Sequence, residues 1–172
     1  MAEPIPKLFS PVGDEHFRAF GAIVHMFARH EFLMIGIISV ITKLPVHQAA
    51  MLMAELPYRG KRETLLAMIK LTLPAIQVEK ISGYLGELHK WNQLRNAIAH
   101  CIWVDGARPN TIKAMSMSVR GGSADFKGID DEEPEYTAKD LVSAATQLVN
   151  LHSRFKEYLF AERLIPIARA DD

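Results

Sequence analysis

The chain has 172 residues, enough for one ordinary domain with a hydrophobic core. Hydrophobic residues make up 49% and charged residues 23%, which excludes collagen-like and wholly disordered classes. Twenty basic and twenty acidic side chains cancel, which excludes a general electrostatic attraction to nucleic acids or membranes. The single cysteine cannot form an internal disulfide, and the N-terminus does not resemble a secretion signal, so we expect a cytoplasmic protein.

The first part of the chain contains an arm and a long helix. Residues 1–13 hold three prolines and a glycine, which predicts an extended arm. Apolar residues at helical spacing then predict a first helix of about thirty residues, from Asp14 to the Leu44-Pro45 pair. Its most apolar run, 32–41, has about half the length needed to cross a bilayer, which favours a buried helix and no membrane partner.

Three more helices follow in the pattern. Proline can open a short second helix over 45–56, and a turn at 57–60 precedes a third helix over 61–73. A second long helix is predicted from Pro74 to about 102, because apolar residues continue at helical spacing throughout.

Residues 102–136 differ in character and are rich in glycine. The alternating stretch 111–119 predicts a small antiparallel β-hairpin, and the acidic run 130–135 indicates a solvated loop. Thr137 and Asp140 have the spacing of a variant capping box, which starts a last long helix. The sequence therefore predicts a mainly α fold with a small hairpin before the last helix.

These elements fit one domain over residues 14–165, followed by a tail over 166–172. We find no internal repeat and no low-complexity segment that would divide the chain further.

One short segment indicates chemistry. Arg95 is followed by a polar residue, Asn96, and His100 comes after four intervening residues. This arrangement resembles the signature of the HEPN superfamily (higher eukaryotes and prokaryotes nucleotide-binding domain), in which a polar residue and several others separate Arg from His. The resemblance covers about residues 14–102 and the last helix.

The resemblance implies a HEPN-like helical bundle with two long packed helices that forms a homodimer. It further implies a metal-independent endoribonuclease of defence or toxin type, with RNA as substrate, no cofactor, and an antitoxin or nucleotidyltransferase as partner. Arg95, His100 and Asn96 would be the catalytic residues. The alternatives are a non-catalytic RNA-binding, nucleotide-binding or protein-interaction module of the same fold, and a purely structural helical dimer.

The residue chemistry agrees with this implication. RNA can be cleaved without metal when its 2′-hydroxyl attacks the adjacent phosphate, which needs a base such as imidazole and a cation such as guanidinium. In an ideal helix five residues span about 140° and about 7.5 Å, so Arg95 and His100 lie on different faces, whereas Asn96 shares the face of His100. We expect Asn96 to orient His100, and a second subunit to supply another arginine and histidine.

The motif also has structural interpretations. Cations are favourable at a helix C-terminus, which explains Arg95 and His100 without any chemistry. A similar pair, Arg18 and His25, lacks the polar residue after its arginine, so the spacing alone is weak evidence. The chain has Ile102 where a toxin branch of the superfamily has tyrosine, which makes membership of that branch doubtful.

Four residues outside the motif are further candidates. Lys61 and Arg62 at a helix start could hold an RNA backbone, and Trp91 could stack on a base. Glu31 could pair with Arg95 and fix its rotamer. Their structural alternatives are a solvated basic face, core packing for Trp91 and surface exposure for Glu31. The histidine spacings match no metal-binding pattern, so no metal is expected.

Overall fold

The computed structural model describes residues 11–120, 123–127 and 134–166. Within these residues, in chain order, five helices come first, four strands follow, and a sixth helix comes last. The helices are α1 (Asp14–Thr42), α2 (Val46–Ala54), α3 (Tyr58–Thr72), α4 (Ala75–Lys90), α5 (Asn92–His100) and α6 (Ala138–Ala161), and the strands are β1 (Ile102–Asp105), β2 (Ile112–Arg120), β3 (Ser123–Lys127) and β4 (Glu135–Tyr136). The predicted mainly α class, with a small antiparallel sheet before the last helix, is confirmed.

The helix boundaries correct the sequence prediction at two places. Helix α3 begins at Tyr58, so the predicted turn at 57–60 is wrong; Pro57 precedes the helix with extended dihedrals, φ −63° and ψ 160°. The predicted second long helix is also interrupted at Trp91. Trp91 keeps α-helical dihedrals, and its carbonyl accepts the Arg95 N–H at 3.0 Å, so the interruption is local.

Helix α6 begins where the sequence predicts. The Thr137 hydroxyl lies 3.1 Å from the Asp140 N–H, and the Asp140 carboxylate accepts the Thr137 N–H at 2.9 Å. This reciprocal pair satisfies backbone donors that a helix start leaves without partners. The Asp140 carboxylate also accepts a hydrogen bond from the Thr137 hydroxyl at 2.7 Å, and the bonds from the Thr137 N–H and hydroxyl lower the pKa of the Asp140 carboxyl.

The sheet is antiparallel and centred on β2. Strand β1 pairs with the first half of β2, from Asp105 opposite Ile112 to Ile102 opposite Met115. Strand β3 pairs with the second half of β2, and the short β4 pairs with its start, with Tyr136 opposite Ile112. The predicted hairpin is therefore part of a larger sheet that begins directly after α5.

A carboxylate organises the loop between β1 and β2. Glu135 accepts the N–H groups of Ala107 at 2.7 Å and Arg108 at 3.1 Å, and it lies 2.8 Å from the Thr111 hydroxyl. A Cβ atom on Gly106 would overlap both the Thr111 hydroxyl and the Glu135 carboxylate, so only glycine allows this close approach.

The prediction that the acidic run 130–135 is a solvated loop is wrong for its last residue, Glu135. Glu135 belongs to β4, and its side chain is only 15% exposed because the loop surrounds it. Residues 130–133 lie outside the described residues. Hydrogen bonds from Ala107, Thr111 and Arg108 lower the pKa of Glu135 to about 2.

This lowered pKa predicts an acid-dependent contribution to stability. Because the folded state lowers the pKa of the Glu135 carboxyl, ionised Glu135 stabilises the fold at pH values above the ordinary glutamate pKa of 4.5. This contribution is lost as the pH falls from there toward 2. We expect Glu135→Gln to lower the melting temperature at neutral pH and to flatten its decline between pH 5 and 2. Thermal melts across that range measure both effects. The exposed Glu157→Gln is the control, and an unchanged acid decline in Glu135→Gln would contradict the prediction.

The chain divides into two compact units. The first joins the chain up to His25 to Trp91–Gln147, and the second joins Met26–Lys90 to the chain from Leu148 onward. The predicted single domain over 14–165 stays a prediction.

The first unit packs around Trp103 of β1, which is 93% buried. The centre of its ring lies 4.8 Å from the centre of the Phe20 ring and 6.0 Å from that of the Tyr136 ring.

The second unit has an aromatic and aliphatic core. Phe27 contacts Tyr58 edge to face at 5.5 Å, and Phe155 stacks on Tyr84 at 4.8 Å. The largest fully buried side chains of this unit come from α1, α2, α3, α4 and α6: Phe27, Met34, Ile37, Ile38, Met53, Leu65, Ile69, Ile81, Leu85, Leu88 and Phe155. This distribution explains the helical spacing of apolar residues in the sequence.

Helix α1 is long and apolar enough to cross a membrane by length and composition alone. However, 56% of its most apolar 18-residue window is buried within the protein. Ile23, Phe27, Met34 and Ile37 are completely enclosed. More than half of this apolar window is thus enclosed by the rest of the protein.

Candidate active site

The motif residues lie at the junction between α5 and the sheet, in the first unit. His100 is the last residue of α5, and Cys101 ends the helix with an extended backbone, φ −101° and ψ 154°. The Cys101 N–H still donates to the Ala97 carbonyl at 2.9 Å. Ile102 then begins β1, which pairs with β2. The backbone on both sides of His100 is thus held by regular hydrogen bonds.

One face of α5 is exposed and the opposite face is buried. Leu94 is only 6% exposed, whereas Gln93, Asn96, Ala99 and His100 are exposed. Asn96 and His100 are four residues apart and share the exposed face, as helical spacing predicts. A ligand in solvent can therefore reach both side chains.

Arg95 lies at the edge of this face and is half-buried. Its Nη1 donates a hydrogen bond to Asn96 Oδ1 at 3.0 Å. Neighbouring helical residues point about 100° apart, so this bond draws the guanidinium toward the exposed face. Asn96 is therefore engaged with Arg95, and its predicted role in orienting His100 stays a prediction.

Within residues 11–120, 123–127 and 134–166, no hydrogen bond to the His100 ring is present. The imidazole is exposed and lies at the end of α5, where a substrate in solvent can reach it. Trp91 is half-buried and precedes α5, one helical turn before Arg95. Its predicted stacking on a base stays a prediction.

Three candidates lie in the second unit. Lys61 Nζ donates to Glu31 Oε2 at 2.5 Å, and the two side chains are 16% and 15% exposed. The structural alternatives that place Lys61 and Glu31 in solvent are therefore wrong. Arg62 is half-buried, and its Nε is enclosed without a hydrogen-bond partner among the described residues. The RNA contacts of Lys61 and Arg62, and the pairing of Glu31 with Arg95, stay predictions.

No cluster of three or more metal-ligating side chains occurs in the described part of the chain. At α5 the three motif side chains present a guanidinium, an amide and an imidazole. A guanidinium binds phosphate oxygens through paired N–H donors, and an imidazole transfers protons. Together these groups suit a phosphodiester substrate.

Sequence reasoning missed a second group of titratable residues. His30 and His152 of the second unit are 1% and 6% exposed, and their rings meet edge to face at 5.1 Å. The available signal was that His152 comes four residues after Leu148 and three before Phe155, which places it among the apolar residues of α6.

No protein-family model, curated protein or solved structure matches this chain.

Proposed function

We propose that the protein is a cytoplasmic, metal-independent endoribonuclease of HEPN type that acts as a homodimer. The observation that supports this proposal best is the arrangement on α5, where exposed His100 shares a face with Asn96 and the Arg95 guanidinium is drawn to the same face. The sequence resemblance names the same three residues. Phosphodiester cleavage uses two of the groups that this face presents, the imidazole of His100 and the guanidinium of Arg95.

In the proposed reaction, His100 removes the proton from the 2′-hydroxyl of the RNA substrate. The 2′-oxygen then attacks the adjacent phosphorus, and the bond from phosphorus to the 5′-oxygen breaks. Arg95 stabilises the negative charge that develops on the phosphoryl oxygens. His100 of a second subunit, or water, donates a proton to the leaving 5′-oxygen. The products are a 2′,3′-cyclic phosphate and a 5′-hydroxyl end.

Cleavage of RNA in EDTA tests the proposal. Purified protein is incubated with a labelled single-stranded RNA, and the ends of the products are identified by phosphatase and kinase treatment. We expect cleavage with 2′,3′-cyclic phosphate ends, and its loss in Arg95→Ala. Arg18→Ala, which removes an exposed arginine from α1, is the matched control. Intact RNA that still binds through Arg95 would instead identify a non-catalytic RNA-binding module.

Mixing two inactive variants tests the shared site. If both subunits contribute to one cleft, a heterodimer of Arg95→Ala and His100→Ala retains one arginine and one histidine there. We expect the mixture to regain part of the wild-type rate, whereas each variant alone stays inactive. Sedimentation analysis establishes whether dimers are present. A monomer that cleaves RNA would contradict the dimeric part of the proposal.

As a ribonuclease of defence or toxin type, the protein would need inhibition in its host cell. An antitoxin or a nucleotidyltransferase that modifies the protein is the proposed partner. Expression of the wild type should then arrest cell growth, and expression of His100→Ala should not.

A further inference from the structure

A cavity of about 630 Å³ lies in the second unit, and its lining includes no residue of the proposed ribonuclease motif. Its lining comes mainly from one face of α1 and one face of α6. Small-molecule sites have volumes of about 300–1,000 Å³. The residues from α1 include Arg29, Leu33 and Gly36, and those from α6 are His152, Lys156 and Phe160.

The inner part of the cavity is apolar. Leu33 and Ile165 line it and are 6% and 7% exposed. A Cβ atom on Gly36 would lie 3.0 Å from the Ile165 side chain, so glycine leaves room where these segments approach. Phe32 and Phe160, which are 63% and 40% exposed, lie toward its opening. An apolar tail would fit this lining.

The charged lining is entirely basic. Arg29 and Lys156 are both exposed members of the lining, and no carboxylate joins them among the described residues that line the cavity. Lys156 Nζ lies 5.4 Å from the centre of the Phe160 ring, a cation–π distance that keeps the ammonium beside the opening. This charge distribution favours an anionic head group.

His152 adds a buried polar group to the same lining. Its Nδ1 is enclosed and has no hydrogen-bond partner among the described residues. Burial, and then His30, Arg29 and Lys156, lower the pKa of His152 to about 4. The ring is therefore neutral at neutral pH and can form a hydrogen bond without adding charge.

We propose that this cavity binds an amphipathic monocarboxylate, with its apolar tail among Leu33, Phe160 and Ile165 and its carboxylate beside Arg29 and Lys156. The site is independent of the proposed ribonuclease activity. Charge-assisted hydrogen bonds from the two cations distinguish such a ligand from a neutral or cationic molecule with the same tail.

Three probes with the same tail test this assignment: decanoate, decanol and decyltrimethylammonium. Isothermal titration at neutral pH, below the micellar concentration of each probe, measures their affinities. We expect decanoate to bind, decanol to bind about tenfold more weakly, and decyltrimethylammonium to bind most weakly. Equal affinities, or no binding of decanoate, would overturn the proposal.

Variants locate the bound probe. Lys156→Gln should weaken decanoate binding about tenfold and leave decanol binding unchanged, because only the anion uses the charge. Lys70→Gln, an exposed lysine on α3 that does not line the cavity, is the matched control. Ala28→Phe at the exposed edge should block all binding. An equal loss in Lys70→Gln would overturn the assignment.

Two measurements remain decisive if Ala28→Phe fails to fold. Decanoate should shift the ring resonances of His152 in the wild type and leave those of the exposed His25 unchanged. Vesicles of phosphatidylglycerol present an anionic lipid surface in place of a free carboxylate. Binding to these vesicles without binding of decanoate would identify a membrane surface as the ligand and overturn the proposal.

Discussion

Replacing His100 by alanine is expected to slow RNA cleavage by about 10²- to 10⁴-fold, the usual contribution of a positioned general base. His100 is exposed and ends α5, so the substitution removes no core contact. The melting temperature should therefore change by less than about 2 °C, as for most surface substitutions. Single-turnover cleavage in EDTA and thermal melts measure the two quantities.

His25→Ala is the matched control for this prediction, because His25 is also exposed on a helix and lies outside the motif. Its cleavage rate should equal that of the wild type. A His100→Ala protein that cleaves RNA at the wild-type rate would show that the imidazole has no catalytic role. A parallel loss of melting temperature and rate would show that its role is structural.

The second large effect concerns acid stability. Burial is the main cause that lowers the pKa of His152 to about 4, from an ordinary value of 6.5. Between these values the unfolded chain binds a proton that the folded chain does not, so stability falls as the pH decreases from 6.5 to 4. The difference corresponds to about 3 kcal/mol of unfolding free energy.

Urea unfolding at pH 7 and pH 4.5 measures this loss. His152→Leu should lose less stability between the two values than the wild type, because the titrating group is gone. Burial also lowers the pKa of His30, so part of the acid sensitivity should remain. His25→Leu is the control at an exposed position. An identical pH dependence in the wild type and His152→Leu would contradict the prediction.

The sequence predicted the helix starts correctly where the residues that set a start lie close together in the chain. The start of α1 at Asp14 and the Thr137–Asp140 cap of α6 follow from residues within a few positions of each other. The interruption at Trp91 could not be predicted, because apolar residues continue through it and it contains neither proline nor glycine. Glu135 was misassigned because the N–H groups that it binds lie 27–28 residues earlier in the sequence.

The same distinction applies to the two sites. The shared face of Asn96 and His100 follows from helical geometry, whereas the bond between Arg95 and Asn96 depends on rotamers that spacing does not determine. The cavity joins one segment of α1 to residues more than a hundred positions later. Only the folded chain shows that Arg29 and Lys156 line the same cavity.

Each compact unit is assembled from two separated stretches, and both units include part of α6. During translation, neither unit can be completed until the ribosome has released this last helix from its exit tunnel. The residues of α5 therefore leave the ribosome before the part of α6 that completes their unit. If the proposed nuclease activity requires that unit to be folded, the nascent chain would be inactive toward its own messenger RNA.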